Sequence, residues 1–130
     1  MKIYGKMPPR TISRNPTARP MLSMTKYKFG DIVLVAFYQT DGNRKQRPAL
    51  VILDIGDDDI VLAPITTSAR KNGGDYKIKT WEQSGLLLDS FVRLAKIACL
   101  SKKDIYKKLG TLAATDKKQI ILVWNKLYKF

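Results

Sequence analysis

The sequence predicts a mainly β fold: a small, strongly curved barrel of short strands closed by one C-terminal helix. Three observations carry this expectation. Short runs rich in β-branched and aromatic residues recur from residue 31 to residue 100, separated by turn signals. Helical spacing of apolar residues is clear only near the C-terminus. At 130 residues and 45% apolar content, the chain suffices for one domain with a real core.

The elements follow in order. "DIVLVAFY" (31–38) reads as a strand. The polar stretch "QTDGNRKQ" follows, with the turn signal Asp41-Gly42. "RPALVILD" (47–54) is the next strand, with Pro48 at its first residues, where no ladder bond is needed. "IGDDD" is a tight connection into "DIVLAPIT" (59–66), a hairpin-like spacing. Beyond a loop marked by Gly73-Gly74, "YKIKTW" (76–81) alternates as a short strand. "EQSGLLLDS" is turn-rich, and "SFVRLAKIACL" (90–100) alternates again, with Phe91, Arg93, Ala95 and Ile97 on one side. "SKKDIYKKLGTL" has two readings: Ser101 with Asp104 suits a helical turn, while "IYKKLGTL" suits a strand. Asp116 with Gln119 resembles a helix start, and Ile120, Ile121, Trp124, Leu127 and Tyr128 follow at helical spacing. Trp124 is expected to pack that helix onto the barrel.

Residues 1–25 differ from the rest. They carry Lys2, Lys6, Arg10, Arg14 and Arg19 and no acid, and Pro8, Pro9, Pro16 and Pro20 forbid a long helix. They read as a basic, Pro-rich extension, either a mobile tail or a mis-assigned start ahead of Met24, with an RNA-binding arm as the sharper alternative. The folded domain is expected over 26–130.

Composition narrows the function classes. With 24 Lys+Arg against 11 Asp+Glu the formal charge is +13, which favours an anionic partner. The longest apolar runs, such as "ALVIL" and "IILVW", fall far short of the roughly 20 residues of a spanning helix, so no membrane role is expected. The single cysteine, Cys99, allows no internal disulfide and fits a reducing, cytoplasmic compartment; its apolar context "KIACL" predicts an inert core thiol. There is no histidine. This removes the usual neutral-pH acid–base group and the commonest zinc ligands, so no metal and no cofactor are expected. The run Asp57-Asp58-Asp59 reads as a solvated hairpin tip.

Several residues stand out as candidates. Pro48 stiffens the chain next to Arg47, and a guanidinium on a fixed stem suits bidentate phosphate binding; a plain surface arginine is the alternative. Thr66 and Thr67 end a strand, where hydroxyls either serve a site or satisfy the backbone. Arg93 either binds phosphate or pairs with Asp31 or Asp89. Tyr38, Tyr76 and Trp81 lie near loops and could stack on bases or belong to the core. Arg44, Lys45, Arg70 and Lys71 could form an electrostatic funnel, or keep the surface solvated.

The ordered set "GDIVLVAFYQTDGNRKQRPALVI", "VLAPITTS", "SGLLLDSFVRLAKIACL" and "KKLGTL" resembles the MazF/PemK (Kid) toxins of bacterial type II toxin–antitoxin modules over about residues 28–128. The resemblance implies an SH3-like barrel of the MazF/PemK/CcdB kind, forming a homodimer. It implies a metal-independent endoribonuclease that cuts single-stranded mRNA at short sequences through attack of the 2′-hydroxyl, leaving 2′,3′-cyclic phosphate and 5′-hydroxyl ends. The implied partner is a cognate antitoxin with an acidic disordered segment. By the same resemblance the "RP" arginine is Arg47, the "PIT" threonine Thr66, the hydroxyl after it Thr67, the "VR" arginine Arg93, and the loop acid before "RP" falls nearest Asp41. One position departs: the acid that the Kid branch carries two residues after the "VR" arginine is Ala95 here. That departure keeps a non-catalytic module binding RNA or an acidic partner as the alternative. A gyrase poison on the same barrel is the third reading.

Overall fold

A computed structural model describes residues 25–38, 40–68 and 73–130. The extension expected over 1–25 lies outside the described residues apart from Thr25, and Arg70 and Lys71 lie outside them too. The described residues form β1 (Asp31–Tyr38), β2 (Arg44–Leu53), β3 (Asp59–Thr66), β4 (Asp75–Lys77), β5 (Phe91–Arg93), β6 (Ala98–Ser101), β7 (Ile105–Thr111) and α1 (Ala114–Leu127). The strands join antiparallel in the order β4-β5-β3-β2-β1-β7, and β6 also pairs with β3. β3 divides its far edge: Asp59–Leu62 pair with β6, while Ile65 and Thr66 pair with β5. From β6 the chain crosses to β7, at the opposite end of the order, through a single 3-10 turn, Lys102–Asp104. The expected barrel-like curvature with one C-terminal helix is what the chain adopts.

The central strands bury both faces, which is why they read as nearly continuous apolar runs. Ile32, Leu50, Ala63 and Ile65 face one cluster, together with Val92, Leu94, Leu112 and Ile120 of α1. Val33, Val35, Ala49, Val51, Ile60 and Leu62 face the other, with Ile105. Trp124 packs on the first cluster, as its spacing predicts.

The structure changes several expectations. The strand expected over 90–100 is broken by a 3-10 turn, Leu94–Lys96, that buries Leu94 in the core, so the alternation of Arg93 and Ala95 ends there. The strand expected over 76–81 leaves the sheet after Lys77, and Trp81 sits in a turn with its ring packed on the first cluster. The two-way segment 101–112 takes both forms: Ser101 accepts from the Lys103 N–H to start the 3-10 turn, and β7 follows. Pro48 is the fifth residue of β2 rather than its first, because the strand reaches back to Arg44. Cys99 is exposed on β6 rather than buried; a neighbouring apolar sequence does not reveal which face of a short edge strand looks inward.

The helix start differs most. α1 begins at Ala114 after Ala113, with no side-chain cap. Asp116 is fully buried and turns back to the segment after β4. Its carboxylate accepts from Tyr76 Oη (2.5 Å), the Lys79 N–H (3.0 Å), the Thr80 N–H (3.0 Å) and Thr80 Oγ1 (2.5 Å). This one side chain ties the helix to the β4 end of the sheet.

A second buried carboxylate ties the β2–β3 connection to the turn before β7. Asp54 accepts from the Tyr27 N–H (2.7 Å), the Gly56 N–H (2.8 Å) and the Lys102 ammonium (2.9 Å), which also donates to the Thr25 carbonyl (3.0 Å). Burial alone would raise the Asp54 pKa, but the bonds from Lys102, Tyr27 and Gly56 outweigh it and hold the carboxyl below its ordinary value. A depressed carboxyl stabilises the fold above its unfolded-state pKa and loses that contribution as the pH falls through the lower folded value. Urea unfolding from about pH 5 down to about pH 2 is therefore expected to show a flatter acid loss of stability in Asp54→Asn than in the wild type, by linkage.

Candidate active site

The site begins with two prolines at a fork in the sheet. β2 pairs with β3 from Leu53 only as far as Ala49, which lies opposite Pro64. Continuing this register by two residues would set Arg47 opposite Thr66. Pro64 belongs to that last pair and Pro48 stands next to its Ala49, and neither proline has an N–H to extend a ladder. Beyond it β2 follows β1, with Arg47 opposite Val35, while β3 follows β5, with Thr66 opposite Phe91. The two strands part, and the gap between them is a groove of about 410 Å³ lined by Lys45, Arg47, Pro48, Thr66, Thr67 and Ser90, among others.

The groove is polar and cationic for reasons of strand periodicity. Lys45 and Arg47 lie two residues apart on β2 and share one face. Arg47 is half-buried, and its side chain makes no ion pair or hydrogen bond among the described residues. Thr66 Oγ1 accepts from the Ser68 N–H (3.1 Å), a turn that orients the hydroxyl and leaves its proton available to donate. Ser90 is buried, and its hydroxyl donates to the Leu88 carbonyl (2.7 Å). The groove continues into an apolar one of about 470 Å³ that shares Pro48, Thr67 and Ser90 and adds Leu34, Leu86 and Leu109. The wall carrying Ser90 is held down by a close backbone approach: a Cβ on Gly85, whose φ is +89°, would stand 2.2 Å from the Leu109 carbonyl oxygen.

Of the residues singled out from sequence, Arg47, Thr66, Thr67 and Lys45 come together in this groove. Others do not line it. The Asp41 carboxylate is turned onto Asn43, accepting from its N–H (2.9 Å) and its Nδ2 (3.1 Å) at the exposed β1–β2 turn. Arg44 lies over the Tyr38 ring (5.2 Å to the centroid) and pairs with Asp104 (3.7 Å), so these two occupy each other at the hairpin end. Tyr76 serves Asp116, and Trp81 serves the core. Arg93 pairs with neither Asp31 nor Asp89. Its Nε is 3.8 Å from Asp75 on the adjacent strand, whereas Asp31 pairs with Lys108 (3.3 Å) and Asp89 with Lys77 (3.4 Å). Sequence reasoning passed over Ser68 and Ser90 as lining groups. The signal for Ser90 was its place directly before "FVRL", and for Ser68 its position two residues after Thr66.

Comparison with known proteins follows the same residues. The chain matches the family model described as PemK-like, MazF-like toxin of type II toxin–antitoxin system over residues 28–124. No curated protein sequence matches it. Among solved structures it is similar to the Mycobacterium tuberculosis toxin MazF-mt6, at 20% identity and a TM-score of 0.63, covering 77% of this chain and 97% of that one. It is also similar to MazE–MazF from Deinococcus radiodurans (16% identity, TM-score 0.62, 82% of this chain and 98% of that one). A third is an endoribonuclease in complex with its cognate antitoxin from a mycobacterial species (16% identity, TM-score 0.60, 75% and 90%). At these identities the structures establish the fold, and the family match covers both prolines of the fork and every strand and most of the helix around it. The chain belongs to the PemK-like, MazF-like toxins of type II toxin–antitoxin systems.

Proposed function

We propose that this toxin is an endoribonuclease that cleaves single-stranded RNA, using Arg47 and Thr66 as the groups that touch the scissile phosphate and Thr67 as a second hydroxyl donor. The observation that carries the reading is the groove at the fork, where an arginine whose side chain has no partner among the described residues lines the same groove as Thr66 at the end of β3 and Thr67 just after it. RNA brings its own nucleophile. The 2′-oxygen attacks the adjacent phosphorus, the bond to the 5′-oxygen breaks, and the 2′ proton leaves to solvent while the departing 5′-oxygen gains one. The products are a 2′,3′-cyclic phosphate and a 5′-hydroxyl. Holding the backbone with attacking and leaving oxygens in line can remove roughly 7–11 kcal/mol of barrier in favourable cases. Charge then gathers on the non-bridging oxygens, where Arg47 donates as a fixed fork and the threonine hydroxyls as neutral donors. Lys45 adds field at the rim. The chemistry asks nothing of a metal ion. A homodimer, and an antitoxin presenting an acidic segment to this same cationic groove, complete the reading.

A second reading has its own observation. Among the described residues no carboxylate lines the groove, Asp41 is held by Asn43, and position 95 is alanine. A protein that binds RNA without cutting it fits that arrangement. Incubation with a long single-stranded RNA in excess chelator decides between them. Discrete cuts ending in cyclic phosphate support the enzyme, and retention of intact RNA at every sequence tried supports the binder. Thr66→Ala is expected to lower turnover about tenfold, the scale of one hydrogen bond, with RNA affinity changed less than about twofold. Equal loss of both would remove Thr66 from the reacting phosphate.

A further inference from the structure

The departure at Ala95 directs attention to its surroundings. Ala95 lies against the backbone of Gly74: a Cβ built on Gly74 would come within 2.6 Å of the Ala95 Cβ. The residue after Gly74 is Asp75, and it is paired in register with Arg93. A carboxylate is therefore present beside the "VR" arginine, supplied by β4 instead of by the strand that carries the arginine.

Its environment is unusual. The Asp75 side chain is only 6% exposed, yet neither oxygen has a hydrogen-bond partner among the described residues. Arg93 Nε is likewise buried and without one. The two stand 3.8 Å apart, an ion pair too long to be a hydrogen bond. The Arg93 side chain as a whole remains 23% exposed. Buried polar groups in native structures are nearly always bonded, and the exceptions concentrate where function, not stability, sets the arrangement.

Register places this pair relative to the groove. Thr66 lies opposite Phe91, and Phe91 opposite Lys77. Arg93 and Asp75 are two residues further along the same two strands, hence on the same face as Phe91, Lys77 and Thr66. Arg93 is the diagonal neighbour of Thr66, a separation of about 7–8 Å between backbones that a long side chain spans.

We infer that Asp75 is a positioning residue for the proposed RNA cleavage: it holds the inner, Nε edge of the Arg93 guanidinium so that the outer edge meets a phosphate of the strand lying beside Thr66. The inference rests on the RNA-cleaving reading above. An anion at the outer edge would draw the guanidinium into register, and the long contact to Asp75 would close to a hydrogen bond, as loosely made site contacts do when substrate binds. Asp75 itself never touches RNA.

The test separates a positioning role from a structural one. A structural carboxylate stabilises the fold; a carboxylate left without hydrogen bonds does not. Asp75→Asn is expected to keep Tm within about 1–2 °C of the wild type or above it, while kcat falls roughly 10–100-fold, the scale of a misplaced group. In an Arg93→Ala background the same change should add less than about twofold, because the group it acts through is gone. Wild-type turnover in Asp75→Asn, a Tm loss above about 5 °C, or a fully multiplicative loss in the double variant would each overturn the inference, leaving the RNA-cleaving reading in place. Should the wild type cut no RNA, that reading fails, and the inference is then judged on affinity for a 2′-deoxy oligonucleotide of the same length. Several-fold weakening shared by Arg93→Ala and Asp75→Asn sustains it, and unchanged affinity in Asp75→Asn ends it.

Discussion

Arg47→Ala is expected to lower RNA cleavage by about 10²–10³-fold, the usual loss when one preorganised donor to a developing oxyanion is removed. The fold should survive. Arg47 is half-buried at the open end of the β2–β3 ladder and its side chain makes no ion pair or hydrogen bond among the described residues, so its removal orphans no partner. The thermal midpoint should therefore stay within about 2 °C, as for substitutions outside the core. Arg47→Lys tests the geometry. A lysine keeps the charge but loses the planar fork, so it should restore affinity for RNA more than turnover. Single-turnover cleavage of a defined RNA, with affinity measured on its 2′-deoxy analogue, reads both quantities. Cleavage by Arg47→Ala within about threefold of wild type would remove the guanidinium from the mechanism.

The largest effect on stability belongs to Asp116. Asp116→Ala should destabilise the chain by roughly 3–5 kcal/mol, because two backbone N–H groups and two hydroxyls lose their acceptor in a buried place and each such group costs on the order of 1–3 kcal/mol. Against a typical total of about 5–15 kcal/mol this approaches unfolding, and Tm should fall by about 10 °C or more. Asp116→Asn should cost less, since one amide oxygen still accepts. Burial by itself raises the Asp116 pKa, but the bonds from Thr80, Tyr76 and Lys79 overcome it and hold the carboxyl below its ordinary value. The Tyr76 hydroxyl is pushed up in turn, by burial first and then by its bond to this carboxylate. The sign follows for a depressed acid: the contribution is complete above the unfolded pKa near 4 and disappears as pH falls through the folded value. Asp116→Asn should accordingly remove part of the acid-induced loss of stability. Calorimetry across that range checks both statements, and an Asp116→Ala protein as stable as wild type would contradict the bonding described.

The strands were legible where burial was two-sided. β1 and β3 occupy the spans expected from their apolar runs, 31–38 and 59–66, because both faces of the sheet are covered and every position is selected for it. The segment 90–100 was misread because its alternation continues through residues that form a 3-10 turn; Leu94 enters the core by that turn and not by strand periodicity. Asp116 was misread for a related reason. An acid near a helix start has the local signature of a cap, and only the position of β4 shows that this one faces inward. The site divides in the same way. Arg47, Thr66 and Thr67 were marked by the "RP" and "PIT" elements and by the hydroxyl that follows, whereas for Arg93 the ion-pair partners open beside a phosphate role were Asp31 and Asp89, and its neighbour is Asp75.

The amino-acid sequence by itself determined the class of fold, the excess of positive charge, the absence of histidine and the identity of the groups at the fork. The first three are set by composition or by periods of two and 3.6 residues within single segments, and the groups at the fork by the resemblance that the "RP" and "PIT" elements carry. Only the tertiary structure decided that β2 and β3 separate after Ala49 and Pro64 to open a groove, that Asp75 stands beside Arg93, and that Asp116 binds Tyr76 across 40 residues. Those juxtapositions depend on the register between strands far apart in the chain, and a register is fixed by the simultaneous packing of all the strands, which no single stretch of sequence encodes.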